Sequence, residues 1–285
     1  MMKLLRFGEP GKEKPGLLDA QAGIRDLSSF IADFNPEHLG LDDFLARLHA
    51  LKPEDLPLVD APVRIGACVA RPGKVICVGY NSKLHAQQMG MKPLSQGEML
   101  VFMKPSSAVC GPSDNILYAP HMKKLDWEAE LGIVIGKKCK YIKKEEARHY
   151  ILGYTCINDL SERFLQLETE DKQYTKGKGF DNAAPMGPYI VTPDELPYPR
   201  HLEVKLWVNG VLRQDFNTSD YLHNDEEVVA YLSHYFTLYP GDVISMGSAP
   251  GTASSWGSDA FLKPGDKVRL AILGVGEQAQ AVVKE

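Results

Sequence analysis

Trp127-Glu128-Ala129-Glu130-Leu131-Gly132-Ile133-Val134-Ile135-Gly136 sets two carboxylates two positions apart in an otherwise apolar, β-branched run. The pattern reads as a β-strand, and its two-residue period puts Glu128 and Glu130 on one face. Two anions on one buried face would raise each other's pKa and would both lose hydration. A hard divalent cation resolves that conflict by taking both as oxygen ligands. A third carboxylate fits: Asp159 in Ile157-Asn158-Asp159-Leu160-Ser161 ends a second apolar run, Tyr150 to Ile157. Three carboxylates without neighbouring Cys or His favour Mg2+ or Mn2+ over zinc, with Ca2+ also admissible. On spacing alone, a solvated edge strand with its Glu pair facing water is the competing reading.

Outward from this run the chain is strand-dominated. Val75–Val78, Leu100–Met103, Val204–Val208, Asp242–Met246 and Lys267–Leu273 are short apolar runs bounded by Gly, Pro, Asn or Asp. Helices are expected at Lys144–Tyr150, Glu162–Glu168 and Asp225–Phe236; in the last, Val228, Val229, Leu232 and Tyr235 follow a near 3.6-residue period. The alternation is too irregular for a βαβ parallel sheet. Residues 1–62 read as a small N-terminal α/β unit: strands at Lys3–Phe7, Lys14–Asp19 and Gly23–Asp26, helices beginning at Leu27-Ser28-Ser29 and near Leu41–Leu51. Pro53, Pro57 and Pro62 then mark an extended linker to residues 63–285. His38 and His49 read as surface or helix-end residues.

A chain of 285 residues can bury a full core. Its net charge of −5, with no strong Lys/Arg cluster, argues against a nucleic-acid partner. Lys137, Lys138, Lys140, Lys143 and Lys144 form the densest basic run and read as a solvated turn and helix start. Five cysteines are odd in number and lack CxxC spacing, which suits reduced, buried thiols. No apolar run approaches membrane-spanning length and no signal-peptide core opens the chain, so a cytoplasmic protein without a membrane partner is expected.

From about Gly73 to the C-terminus the chain resembles the fumarylacetoacetate hydrolase superfamily. The matching segments stand in order: Lys74-Val75-Ile76-Cys77-Val78-Gly79-Tyr80-Asn81 with His85; Phe102-Met103-Lys104-Pro105; the Glu128/Glu130 strand; Asn158-Asp159-Leu160-Ser161-Glu162-Arg163 with Gln166; and Lys176-Gly177-Lys178-Gly179-Phe180-Asp181. Pro185-Met186-Gly187-Pro188, Val208-Asn209-Gly210 and Leu238-Tyr239-Pro240-Gly241-Asp242 complete the series. The opening Met2-Lys3-Leu4-Leu5-Arg6-Phe7-Gly8 is similar to the subgroup labelled ureidoglycolate lyase or diketo-deoxy-sugar-acid hydrolase. The resemblance implies an α+β fold, a mixed β-sheet roll, and a homodimer.

It also implies roles. Glu128, Glu130 and Asp159 would hold the metal, and Lys178 would stand beside it as a second cation. Arg163 and Gln166 would meet the substrate, on one face of a helix beginning at Ser161. Tyr80 lies at the pocket mouth, and Ser248 replaces the family's threonine at the substrate carboxylate. Asn81 is either a mouth residue or a turn cap, and Lys104, ending a buried strand, needs an anion nearby. His85 matches the catalytic histidine, whose ordinary pKa near ~6.5 suits a general base at neutral pH. Many hydrolytic members carry Glu three positions later; this chain has Gln88, which can orient a group but cannot take a proton. Gln88 then only positions, or another carboxylate such as Glu98 serves, or the reaction needs no activated water.

The implied activity is metal-dependent hydrolysis of a C–C bond in a 2-oxo or 2,4-dioxo acid of the acylpyruvate type, through a metal-stabilised enolate. A lyase, decarboxylase or isomerase on the same site, and a non-catalytic metabolite-binding protein, are the alternatives.

Overall fold

The computed structural model describes residues 2–60, 62–88, 97–196 and 199–285, with the side chains of residues 85, 86 and 88 outside that description. At its centre lies the Ala129–Ile135 strand, buried along its whole length. It runs antiparallel to Ile151–Asn158, with Glu130 opposite Ile157 and Ala129 opposite Asn158. On its other edge it pairs antiparallel with Val243–Ser245, which runs parallel to Val75–Gly79; Leu100–Lys104 closes that side. Beyond Ile151–Asn158 come Ile190–Val191 and then the N-terminal strands Lys3–Phe7, Lys14–Leu18 and Ile24–Asp26, giving nine strands in one mixed sheet.

A five-stranded sheet packs beside it: Val211–Asn217, Glu203–Val208, Lys267–Ile272, Gly276–Lys284 and Ile116–Tyr118, in that order. Leu131 and Ile133 share a core with Leu206 and Leu270 of this second sheet, whereas Val134 belongs to another core with Leu4, Leu17 and Phe34. Successive side chains of the central strand thus enter different cores, which explains its unbroken apolar character. The fold is α+β. Trp127, fully buried, donates its indole N–H to Gly251 O at 3.1 Å and ties the start of the central strand to the 247–252 turn.

Residues 1–62 join the large unit through a continuous sheet, with Lys3 opposite Val191 and Leu4 opposite Ile190. The boundary at 62/63 is therefore not a break between separate sheets. The Asp225–Tyr235 helix starts on a reciprocal cap between Asn224 and Glu227, as its periodicity suggested. Two helix expectations fail. Leu27–Ser29 forms a turn, with Leu27 N–H donated to Pro15 O, and the first helix is Pro36–Leu39, capped by Asn35. Ser161–Glu162 pairs with Leu125–Asp126, and only Phe164–Glu168 winds, as a single π-helical turn. The cause is Glu162, buried, whose carboxylate accepts the N–H groups of Lys123, Lys124 and Leu165 and pins the segment to the preceding loop. Strands such as Val211–Asn217 and Gly276–Lys284 escaped the apolar-run reading because polar residues fill them; Gln214, Gln278 and Gln280 are buried. No described helix is long and apolar enough to cross a membrane.

Candidate active site

The antiparallel register carries the first ligands together. Glu128 leads into the central strand, and Asp159 follows its neighbour and donates its N–H to Glu128 O at 2.9 Å. One carboxylate oxygen from each of Glu128, Glu130 and Asp159 lies within 4.8 Å of the others, and all three residues are buried. The solvated-edge reading of the Glu pair is thereby excluded.

Each carboxylate is anchored separately. Glu130 Oε2 accepts from Ser245 Oγ at 2.6 Å and from Gly247 N at 2.8 Å. Gly247 has φ of +94°, and a Cβ there would sit 2.7 Å from Val78 O, so this N–H reaches Glu130 only from a glycine. Glu128 Oε1 accepts from Arg163 Nη2 at 2.7 Å and its Oε2 from Lys178 Nζ at 2.5 Å. Lys178 Nζ also reaches Asp159 Oδ2 at 2.8 Å. Lys104, ending its buried strand as expected beside an anion, lies 2.7 Å from Asp159 Oδ1. It aims its hydrogens at the carbonyls of Leu160, Lys178 and Ala183, so Asp159 Oδ1 is buried without a hydrogen bond.

This donor set fits a hard divalent cation. Both hydrogen bonds of Glu130 fall on one oxygen, Asp159 keeps an anionic oxygen unbonded, and no sulfur or imidazole ligand joins the described cluster. Burial, with Asp159 and Glu128 adding like charge, pushes the Glu130 carboxyl up to about 8. A cation between the three would relieve that repulsion. Burial acts to raise Glu128 too, but the charges of Arg163 and Lys178 outweigh it and hold that carboxyl well below the usual range. Burial opposes the Lys178 ammonium, and the charges of Asp159 and Glu128 overcome this and raise its pKa.

Arg163 and Gln166 do come together, though on a π-helical turn: Arg163 Nη1 donates to Gln166 Oε1 at 3.0 Å. Arg163 Nε donates to Asp126 Oδ2 at 2.8 Å. Asp126 also accepts the N–H groups of Trp127 and Ala253 and the Ser254 hydroxyl. It thus orients the guanidinium and ties down the turn after Ser248. Sequence reading passed over Asp126; its place beside the Glu128 motif, on a residue too polar for a buried strand, was the available signal. Ser248 Oγ donates to Ala129 O at 3.2 Å and accepts from Gln214 Nε2 at 2.9 Å, at the wall of the same cavity.

Tyr80 lines the cavity in the left-handed backbone region, φ +57°, which a bulky residue rarely adopts. Burial first, then its hydrogen bond with Tyr174, pushes the Tyr80 hydroxyl up to about 12. Tyr174 itself was not singled out by sequence. Asn81 is a turn residue: buried, it donates to His223 O and Met246 O and accepts from His223 N. Glu98 accepts from the Tyr231 hydroxyl and does not line the cavity. Lys176 is exposed and paired with Asp171, and His38 and His49 sit at helix ends bonded to Asn35 and Leu45. His85 and Gln88 fall on the Lys83–Gln88 helix, and their side chains lie outside the described residues.

Residues 74–283 match the family model described as fumarylacetoacetate (FAA) hydrolase, C-terminal. The chain belongs to the fumarylacetoacetate hydrolase superfamily. A Burkholderia cenocepacia protein whose name goes no further than hydrolase is 48% identical over 281 residues, 98% of either chain. Among solved structures, the maleylpyruvate hydrolase of Sphingobium sp. SYK-6, in complex with manganese(II) and pyruvate, superposes with a TM-score of 0.81 at 29% identity over 99% of both chains. The 2-hydroxyhepta-2,4-diene-1,7-dioate isomerase of Mycobacterium marinum does so with a TM-score of 0.76 at 28% identity, covering 100% of this chain and 99% of that one. Superfamily members of this kind are enzymes of small organic acids, hydrolases and isomerases both.

Proposed function

We propose that this chain is a divalent-metal-dependent hydrolase that cleaves a C–C bond in a 2,4-dioxo acid of the acylpyruvate type. The observation that carries the reading is the convergence of Glu128, Glu130 and Asp159 beside two cations, Lys178 and Arg163, on one cavity. The manganese(II) and pyruvate of the maleylpyruvate hydrolase complex support it. A Mg2+ or Mn2+ ion held by the three carboxylates would supply Lewis-acid stabilisation of negative charge on a bound 2-oxo acid.

The chain's own residues divide the remaining work. Arg163, held by Asp126 and Glu128, keeps its guanidinium fixed where it can meet a carboxylate or oxo group. Gln166 orients it further, and Ser248, held by Ala129 O and Gln214, lines the same cavity. His85 takes a proton from water, which adds to the 4-oxo carbon. The C3–C4 bond then breaks, and its electron pair passes to the pyruvate enolate. Lys178, buried and charged, lowers the energy of that enolate. The proton taken by His85 is delivered to C3 and completes a balanced reaction: acylpyruvate and water give pyruvate and a carboxylic acid.

Gln88 motivates a second reading, since an amide cannot sharpen the basicity of His85. In a decarboxylase, lyase or isomerase the same enolate stabilisation suffices without activated water, and the isomerase similarity accords with that. Acylpyruvates incubated with the Mg2+- or Mn2+-loaded protein, followed by loss of enol absorbance and by product analysis, test the two. Hydrolysis that falls about 10²–10⁴-fold in His85→Ala supports the first. A wild type that leaves acylpyruvates intact and decarboxylates or isomerises a 2-oxo acid supports the second. We further infer a homodimer, to be checked by sedimentation at micromolar concentration.

A further inference from the structure

We propose that the substrate's tail, the end remote from its 2-oxo acid, is an uncharged alkyl or aryl group rather than a second carboxylate. The choice of which end meets the carboxylate cluster rests on the function proposed above. The nature of the tail rests on the aromatic lining of the cavity.

That wall is aromatic and continuous. The Phe102 ring lies 5.0 Å from Lys178 Nζ, so it begins at the cation of the acid end. The Tyr174 ring follows with its centroid 5.2 Å from that of Phe102, and Tyr80 lines the same cavity. Leu100 and Leu167 complete the lining, and Leu167 is 44% exposed. Phe102, Tyr174, Tyr80 and Leu100 are each only half-buried. Apolar surface left open inside a cavity is surface that an apolar tail would remove from water.

The charges point the same way. Among the described lining residues the cations are Arg163 and Lys178. Arg163 directs its three nitrogens to Asp126, Gln166 and Glu128, and Lys178 directs its ammonium to Glu128 and Asp159. Both stand at the carboxylate cluster, so their remaining N–H groups serve the acid end. A second carboxylate, carried toward Tyr174 and Leu167, would lose its water against rings without gaining a cation among the described residues.

The test uses two inert ligands of equal chain length, 2-oxohexanoate and 2-oxoadipate, which lack the 4-oxo group and differ only at the tail. Calorimetric titration of each into the full-length Mn2+-loaded protein should give a Kd at least about tenfold lower for 2-oxohexanoate. Leu167→Arg, a change at an exposed position, should reverse the order by placing a cation at the tail. A Kd for 2-oxoadipate equal to or below that of 2-oxohexanoate in the wild type overturns the proposal. So does a Leu167→Arg protein, folded by circular dichroism, whose preference is unchanged. Acylpyruvate turnover, assayed alongside, separates this from the function itself. A tenfold preference for 2-oxohexanoate in a protein that cleaves no acylpyruvate supports the apolar tail while removing the hydrolase reading.

Discussion

Lys104 Nζ lies 2.7 Å from Asp159 Oδ1, with side-chain exposures of 0% and 1%. The ammonium is held by three main-chain carbonyls and faces the carboxylate as a fixed charge. It supports Asp159 from behind while Lys178 meets the same carboxylate at its other oxygen.

Removing the charge of Lys104 should therefore cost stability before it touches chemistry. Lys104→Met leaves a buried carboxylate and three carbonyls short of a partner. We expect a loss of about 3–5 kcal/mol in unfolding free energy, measured by urea denaturation. A loss below about 1 kcal/mol would show that water replaces the ammonium.

Glu130 is the ligand held by neither Arg163 nor Lys178, and its anchors are Ser245 and Gly247. Glu130→Ala should abolish the rise in melting temperature that Mn2+ gives the wild type, and activity with it, since one of three anionic ligands is lost. Chelator should mimic the variant in the wild type, with Mg2+ or Mn2+ restoring turnover. Full activity in protein shown to be metal-free would remove metal dependence altogether.

Lys178→Met should lower kcat by about 10²-fold with a smaller change in KM, because its charge matters most as the enolate develops. The opposite split, an unchanged kcat with a raised KM, would make Lys178 a substrate-binding residue only.

All five cysteines are free and buried. Burial pushes Cys68 and Cys139 up to about 11, and drives Cys110 and Cys156 higher still. At pH 8 a thiol titrating near 11 is thiolate in only about one molecule in 10³, so a thiol reagent should label the native protein slowly and the denatured protein at five sites. The unfolded chain releases these protons near 9 and the folded chain near 11 or above. Stability should accordingly fall as pH rises from about 9, and denaturation midpoints at pH 8 and 10 will check the sign.

Much of the site was legible in the chain because its spacing is local. Glu128 and Glu130 share a face by the two-residue period of a strand, and Asp159 ends the apolar run that pairs with it. Lys104 could be placed near an anion because a buried strand does not end in a bare ammonium. The strands at Val75–Gly79, Leu100–Lys104 and Ala129–Ile135 follow from apolar runs bounded by turn residues. Polar strands such as Gly276–Lys284 did not, because their burial comes from partners and not from composition.

The sequence by itself determined the predominance of strands, the paired carboxylates and their preference for a hard cation, since these depend on residue type and covalent periodicity, while the α+β class came with the family resemblance. Only the tertiary structure decided what holds them. Ser245 reaches Glu130 across 115 residues of chain, Gly247 across 117, and Ala253 reaches Asp126 across 127. It also decided that Arg163 and Gln166 sit on a π-helical turn and that Phe102, Tyr174 and Tyr80 form one wall. Such contacts arise where strands, turns and helices distant in the chain are brought side by side, and no local pattern of residues encodes which distant groups will meet there.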